Sequence, residues 1–142
     1  MDELLQLGKQ ILTSQPFSAF VCAELTAFLP GQVELTIAIT PQLKQQNGFV
    51  HGGVISYAAD TALTFVGGSV LGPAVVTSEY KINYLRPAIG TGLIARATVI
   101  YSSKSQAVCR CEVFVVGEGN EDLCAVSQGT IARMGKSLED QA

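Results

Sequence analysis

Charge is scarce in this chain and histidine scarcer still: 15% of the 142 residues are Asp, Glu, Lys or Arg, and His51 is the only imidazole. About a quarter is usual, so too little charge remains to coat a lone molecule and part of the surface is expected to lie against another subunit. The net charge is -3 with no basic run, which removes the positive footprint that nucleic-acid binding requires. One histidine, and no second close cysteine pair beside "CRC", give no reason to expect a metal centre. No N-terminal apolar run precedes a small-residue cleavage site; "MDELLQLGKQIL" interleaves charges with leucines. No secretion signal is read there, and a cytoplasmic location is expected. The longest uncharged stretch, residues 61–78, is broken by "GG" and "GP" and reads as core elements rather than a bilayer helix. In that compartment Cys22, Cys109, Cys111 and Cys124 are expected as buried thiols rather than disulfides.

What is present is hydrophobic and punctuated. A chain of this length suits one domain spanning residues 1–142. "DELLQLGKQIL" places its leucines and isoleucine near one side of a short helix at about residues 2–14, with Asp2 and Glu3 in the first turn where the dipole favours them. "AFVCAELTAF" and "QVELTIAIT" read as a hairpin around "LPG". Four more strand-like runs, "VVTSEYKINYLRP", "GLIARATVIYSS", "AVCRCEVFVV" and "LCAVSQGTIARM", are separated by the turns "AIGT", "SKSQ" and "GEGNED". Such short connections imply antiparallel neighbours. In the third run Arg110 and Glu112 share one face while Cys109, Cys111, Val113 and Val115 share the other, so one face is wet and one buried. Residues 53–66, "GVISYAADTALTFV", are too long and alanine-rich for a strand and apolar on nearly every side, the pattern of an enclosed helix. The expected fold class is α+β: a curved antiparallel β-sheet wrapped around one central α-helix.

Between Lys44 and Glu79 the only formal charge is Asp60. The order of features around it, "HGG" opening an apolar helix, an acidic residue nine positions after the histidine and then "VVTSEYKINYLRPA", resembles the hotdog-fold acyl-CoA thioesterases, in particular the phenylacetate-degradation (PaaI-like) branch. The resemblance runs from the first hairpin to the last strand. It implies a hotdog fold and hydrolysis of an acyl-CoA or aryl-CoA thioester to free acid and coenzyme A, with coenzyme A part of the substrate and no separate cofactor. It also implies active sites at a homodimer interface, with further assembly into a homotetramer.

The residues can be matched to that chemistry. Gly52 and Gly53 stand at the helix N-terminus, where unpaired N–H groups and the dipole can hold the charge that develops on a thioester carbonyl oxygen; a tight entry turn is the plainer reading. Asp60 is a candidate nucleophile or general base, or else a structural carboxylate bonded to Thr61, Thr64 or a strand hydroxyl. At 1.5 Å per residue the two groups lie roughly 10–12 Å apart along one helix, too far to serve one carbonyl. Two helices packed antiparallel about a twofold axis would bring Asp60 of one subunit to the helix end of the other. The resemblance further implies that Gln45, six residues before His51, contacts the thioester or orients the catalytic groups, with Asn47 the competing amide. It gives His51 a role in shaping the loop or moving a proton, and Thr77 a role in placing the hydrolytic water. Arg86 and Lys104, near strand ends or turns, are candidates for the phosphates of coenzyme A. Tyr57 and Phe65 are candidates for an acyl pocket, or simply core. Two other readings stay open: a hotdog hydratase or dehydratase that uses His51, and a non-catalytic acyl-CoA-binding module.

Overall fold

The computed structural model describes residues 3–135. Met1, Asp2 and residues 136–142 fall outside them, and with them the expected place of Asp2 in the first helical turn. Helix α1 (Glu3–Ser14) leads into a short α2 (Pro16–Phe20), the hairpin β1 (Glu24–Leu29) and β2 (Gln32–Ala38), and the long helix α3 (Gly52–Leu71). Strands β3 (Val75–Tyr84), β4 (Gly92–Ser102), β5 (Gln106–Gly117) and β6 (Asn120–Arg133) complete the chain. All pair antiparallel in one sheet of order β1-β2-β4-β5-β6-β3. This is the α+β hotdog architecture, a sheet curved around a central helix.

Two boundaries differ from the sequence reading. Residues 19–28 are not one strand: Pro16 presets the first turn of α2, and Cys22 turns the chain with a φ of 58°, so β1 begins only at Glu24. Helix α3 runs five residues beyond the expected end, through the Gly67–Gly68 pair that looked like a break. Gly67 lies against Ile131, whose side chain a Cβ there would approach to 2.6 Å; the glycine lets helix and sheet close together. Gly8 does the same for α1, where a Cβ would come within 2.5 Å of Leu25.

A third difference is topological. The segment containing "AIGT" is not a hairpin, because β3 pairs with β6 while β4 pairs with β2. The chain crosses from one side of the sheet to the other, tied down where Val50 donates to the Ala88 carbonyl and Thr91 to that of Val116. Turn residues report a local reversal; they carry no information on which strand becomes the neighbour.

Ala58, Ala59, Ala62, Leu63 and Val66 of α3 are fully buried against the inner sheet face, with Leu35, Ile37, Ala97 and Val113 opposite them. The other side of α3 is only partly covered, and Gly53 is exposed. The helix is thus enclosed on its sheet side alone. It is long and apolar enough to cross a bilayer, by length and composition, but half of it is buried inside the fold. Cys109, Cys111 and Cys124 sit at zero exposure in the core, and burial pushes Cys111 up to about 12 and the other two up to about 11. Cys22 departs from expectation: its place at the α2–β1 turn leaves it exposed. On the outer face Arg96 bridges Glu34 and Glu121 over the Phe114 ring. That guanidinium holds the Glu34 carboxyl below its ordinary value.

Candidate active site

One ridge of α3 carries Gly52, Ser56, Asp60, Thr64 and Gly68, each four residues after the last, and it runs antiparallel to β3. Residues four apart stack on one side of a helix, so the ridge meets the strand residue by residue. The Tyr84 hydroxyl donates to the Gly52 carbonyl at 3.1 Å, Ser56 is hydrogen-bonded to Tyr80, Thr77 donates to the Asp60 carboxylate at 2.7 Å, and Gly68 lies beside Val75, whose side chain a Cβ there would meet at 3.4 Å. Thr77 and Tyr80 are an odd number of residues apart and would point to opposite faces of a regular strand. A bulge corrects this: the register with β6 slips between Thr77 and Glu79, and the extra residue turns both side chains toward α3. Gly129 opposite Tyr80 makes room, since a Cβ there would lie 2.5 Å from the Glu79 carbonyl oxygen.

Asp60 is therefore not simply buried. It is half-covered, with Oδ1 taken by Thr77. Thr77 Oγ1 lies 2.7 Å from Thr64 Oγ1, which in turn donates to the Asp60 main-chain carbonyl at 2.8 Å. Three short contacts join Asp60, Thr77 and Thr64, yet the two hydroxyls supply two protons.

The start of α3 is organised by His51, the N-cap. Its Nδ1 accepts the Gly53 N–H at 2.8 Å, and its carbonyl accepts from Val54 and Ile55. Gly53 is thus not a free donor, against its expected helping role: its N–H is already spent on the imidazole. Among the described residues the Gly52 N–H has no acceptor, and Gly52 lines a cavity of about 530 Å³ together with Gln45, Tyr84, Leu85 and Arg86. A ligand carbonyl placed there would meet that N–H and the positive end of the helix.

Residues 47–120 match the family model described as the thioesterase superfamily. The chain belongs to the thioesterase superfamily. A putative esterase of Haemophilus influenzae is 32% identical over 111 residues, covering 77% of this chain and 78% of that protein. Among solved structures, a thioesterase family protein from Silicibacter pomeroyi superposes with a TM-score of 0.87 at 30% identity, covering 93% of this chain and 99% of that one. The phenylacetic acid degradation protein PaaI of Thermus thermophilus superposes with a TM-score of 0.73 at 28% identity, covering 84% and 100%. The PaaI-like branch of this superfamily was already visible in the "HGG" and "NYLRPA" segments.

The structure distributes the expected site residues unevenly. Gly52, Gly53, Gln45 and Arg86 gather at the start of α3, and Asp60 and Thr77 meet two turns further on. Asn47 is exposed in the tight turn closed by the Gly48 N–H on the Gln45 carbonyl and does not line the cavity. Tyr57 faces α2, its hydroxyl donating to Ser18 at 2.5 Å and its ring edge-on to Phe17, so it fastens helices together instead of lining a pocket. Phe65 is buried edge-on to Phe28 at 5.6 Å and borders a second cavity described below. Arg86 lies 3.8 Å from Asp122, beside the start of β6, whereas Lys104 is in the β4–β5 turn, whose Ser105 carbonyl accepts from Arg133 at the end of β6. The sheet thus separates the two cations within a protomer. Ser56, Tyr80 and Tyr84 were not read from the sequence. The polar i, i+4 series on an apolar helix was a signal for Ser56; the bulge hid the tyrosines.

Proposed function

We propose that the protein hydrolyses an acyl-CoA or aryl-CoA thioester at a site shared between two protomers. The observation that carries this reading is the separation, on one helix, of an open N–H at Gly52 and a half-covered carboxylate at Asp60. At eight residues and 1.5 Å each they are about 12 Å apart, while a general base must come within hydrogen-bond reach of its proton. Neither group completes a site alone. Strand β3 supplies the means of joining two copies: it is a ten-residue strand at the sheet edge, none of it buried, and paired only with β6. A long uncovered edge invites another strand. Pairing two β3 strands antiparallel about a twofold axis sets the two α3 helices side by side in opposite directions, Asp60 of each toward Gly52 of the partner subunit. A dimer of dimers is the assembly we expect, in the cytoplasm.

In this arrangement the thioester carbonyl oxygen takes the Gly52 N–H of the partner subunit, with Gln45 nearby to contact the thioester. Asp60 takes a proton from water as the water attacks the carbonyl carbon. As the tetrahedral centre collapses the C–S bond breaks and Asp60 returns that proton to the departing sulfur, so coenzyme A leaves as the free thiol and the carboxylate is restored. His51 keeps Nδ1 on the Gly53 N–H and so shapes the helix entrance. Arg86 at the cavity rim is the group we assign to a coenzyme A phosphate.

The test is release of free coenzyme A from a panel of aryl and aliphatic acyl-CoAs by wild type and Asp60→Asn. Turnover that falls about a hundredfold in the variant, the scale of losing an acid–base group, supports the reading. Enoyl-CoA hydration without coenzyme A release would point to the hydratase, and binding without either reaction to the non-catalytic module.

A further inference from the structure

Beyond the ridge that pairs with β3, a second cavity of about 300 Å³ lies between α1, β1 and the C-terminal half of α3. Thr64 stands at one side of it; Leu7, Ile11, Phe28, Phe65 and Gly68 form much of the rest. Thr64 is one hydrogen bond from Thr77 and two from the Asp60 carboxylate, so the cavity begins beside the atoms assigned to the chemistry. None of the described residues lining it carries a charge. Its other polar groups are engaged elsewhere. The Gln15 side-chain oxygen Oε1 accepts from the Ser18 hydroxyl at 2.7 Å, and Ser69 Oγ accepts the Gly31 N–H at 2.9 Å while donating to the Val66 carbonyl at 2.6 Å. Apart from the Gln15 amide NH2 at the exposed end and the Thr64 hydroxyl, what remains toward the cavity is hydrocarbon.

We infer that this cavity is the acyl chamber, that it admits an uncharged hydrocarbon acyl group of medium size, and that α1 is the wall that sets the size. This rests on the hydrolase reading above. A cavity of roughly 150 Å³ lined by aliphatic side chains and Phe accommodates benzene, so this chamber has room for about twice that bulk, an arylalkyl group or a straight chain of about six to ten carbons. An acyl group ending in a carboxylate would be desolvated there with no partner, which is strongly unfavourable. The chemistry and the selection come from different parts of the chain. Asp60, Thr64 and Thr77 lie within the segment 47–120 that matches the superfamily, whereas Leu7, Ile11 and Phe28 lie outside it.

The experiment measures kcat/KM for straight-chain acyl-CoAs from acetyl to palmitoyl, together with phenylacetyl-CoA and succinyl-CoA, in wild type, Gly68→Leu and Leu7→Trp. In parallel, calorimetry measures binding of octyl-CoA thioether and of coenzyme A alone. The second variant guards against misfolding of the first, because Leu7 is 46% exposed. In wild type kcat/KM should rise by about fourfold per methylene, level off once the chamber is full and stay lowest for succinyl-CoA. Both variants should cut the octanoyl-to-butanoyl ratio by about tenfold or more. Hydrolysis whose chain-length profile is flat, or is unchanged from wild type in both folded variants, overturns the chamber and leaves the hydrolase reading intact. Absence of hydrolysis, with the thioether still binding more tightly than coenzyme A by a margin the variants remove, overturns the hydrolase reading and leaves the chamber. No margin and no hydrolysis overturns both.

Discussion

Strands β5 and β3 lie two places apart in the same sheet and are built by opposite rules. β5 is paired on both sides, and its inward residues Ala107, Cys109, Cys111 and Val113 have no exposure at all. β3 is paired on one side, has no buried residue and presents hydroxyls to its helix. The same contrast divides α3, whose sheet-facing side is alanine, leucine and valine and whose β3-facing ridge is Ser56, Asp60 and Thr64. Stability is concentrated where apolar surface is removed from water on every side. The chemistry we propose stands where the fold is left open, because a carboxylate that is to meet substrate cannot be sealed in.

Substitutions can separate the two sides. Leu63→Ala, on the sheet-facing side of α3, is expected to lower unfolding free energy by about 2–5 kcal/mol through lost burial and the cavity left behind. Turnover of the folded enzyme should stay within about twofold, as measured by denaturant melts and coenzyme A release on the same sample. Asp60→Asn should do the reverse, cutting turnover about a hundredfold, or about 2.7 kcal/mol in the barrier, with little change in the melt. Alkaline pH attacks the β5 side next. Burial raises the thiols of Cys109, Cys111 and Cys124 from an ordinary 9.0 to about 11, 12 and 11, so the folded state holds these protons more tightly than the unfolded chain. The associated stability is complete below pH 9.0 and is lost as pH rises toward those values, by at most about 1.4 kcal/mol per pH unit for each thiol. A thermal-melt series above pH 9 that declines in wild type and flattens when the three cysteines are replaced by alanine would establish the cause; parallel declines would refute it. The smallest effect is Thr77→Val, which removes the hydroxyl on Asp60 and should lower kcat about tenfold, with restoration by Thr77→Ser.

How much of this was legible depends on the same contrast. Cys109, Cys111, Val113 and Val115 alternate cleanly against Arg110 and Glu112, and the buried strand could be read directly. Asp60 stood out because it is the lone charge across some thirty residues, and Gly52 because glycine at a helix start is visible as such. Tyr80 and Tyr84 stayed hidden: a strict period of two sets them on the face opposite Thr77, and only the bulge at Ser78 turns all three toward the helix. Tyr57 looked like a pocket residue because its partner Ser18 lies between the helix expected at about 2–14 and the strand expected from Ala19, in a stretch given no element, whereas Pro16 starts a helix there. The crossing of the chain between β3 and β4 depends on contacts between distant segments, which local turn chemistry does not encode.

The central claim is that Asp60 works with Gly52 of the partner subunit, and subunit complementation tests it most directly. Gly52→Pro removes the N–H while suiting the first helical position, and His51 before it already has the extended backbone that precedes proline (φ −60°, ψ 134°). Asp60→Asn and Gly52→Pro chains, each poorly active alone, would be co-expressed with different tags and the mixed oligomer isolated. A shared site gives every heterodimer one intact pair, so a mixed dimer should recover about half of the wild-type turnover. A mixed dimer no more active than its two parents would mean that each site is built within one chain, and would contradict the account.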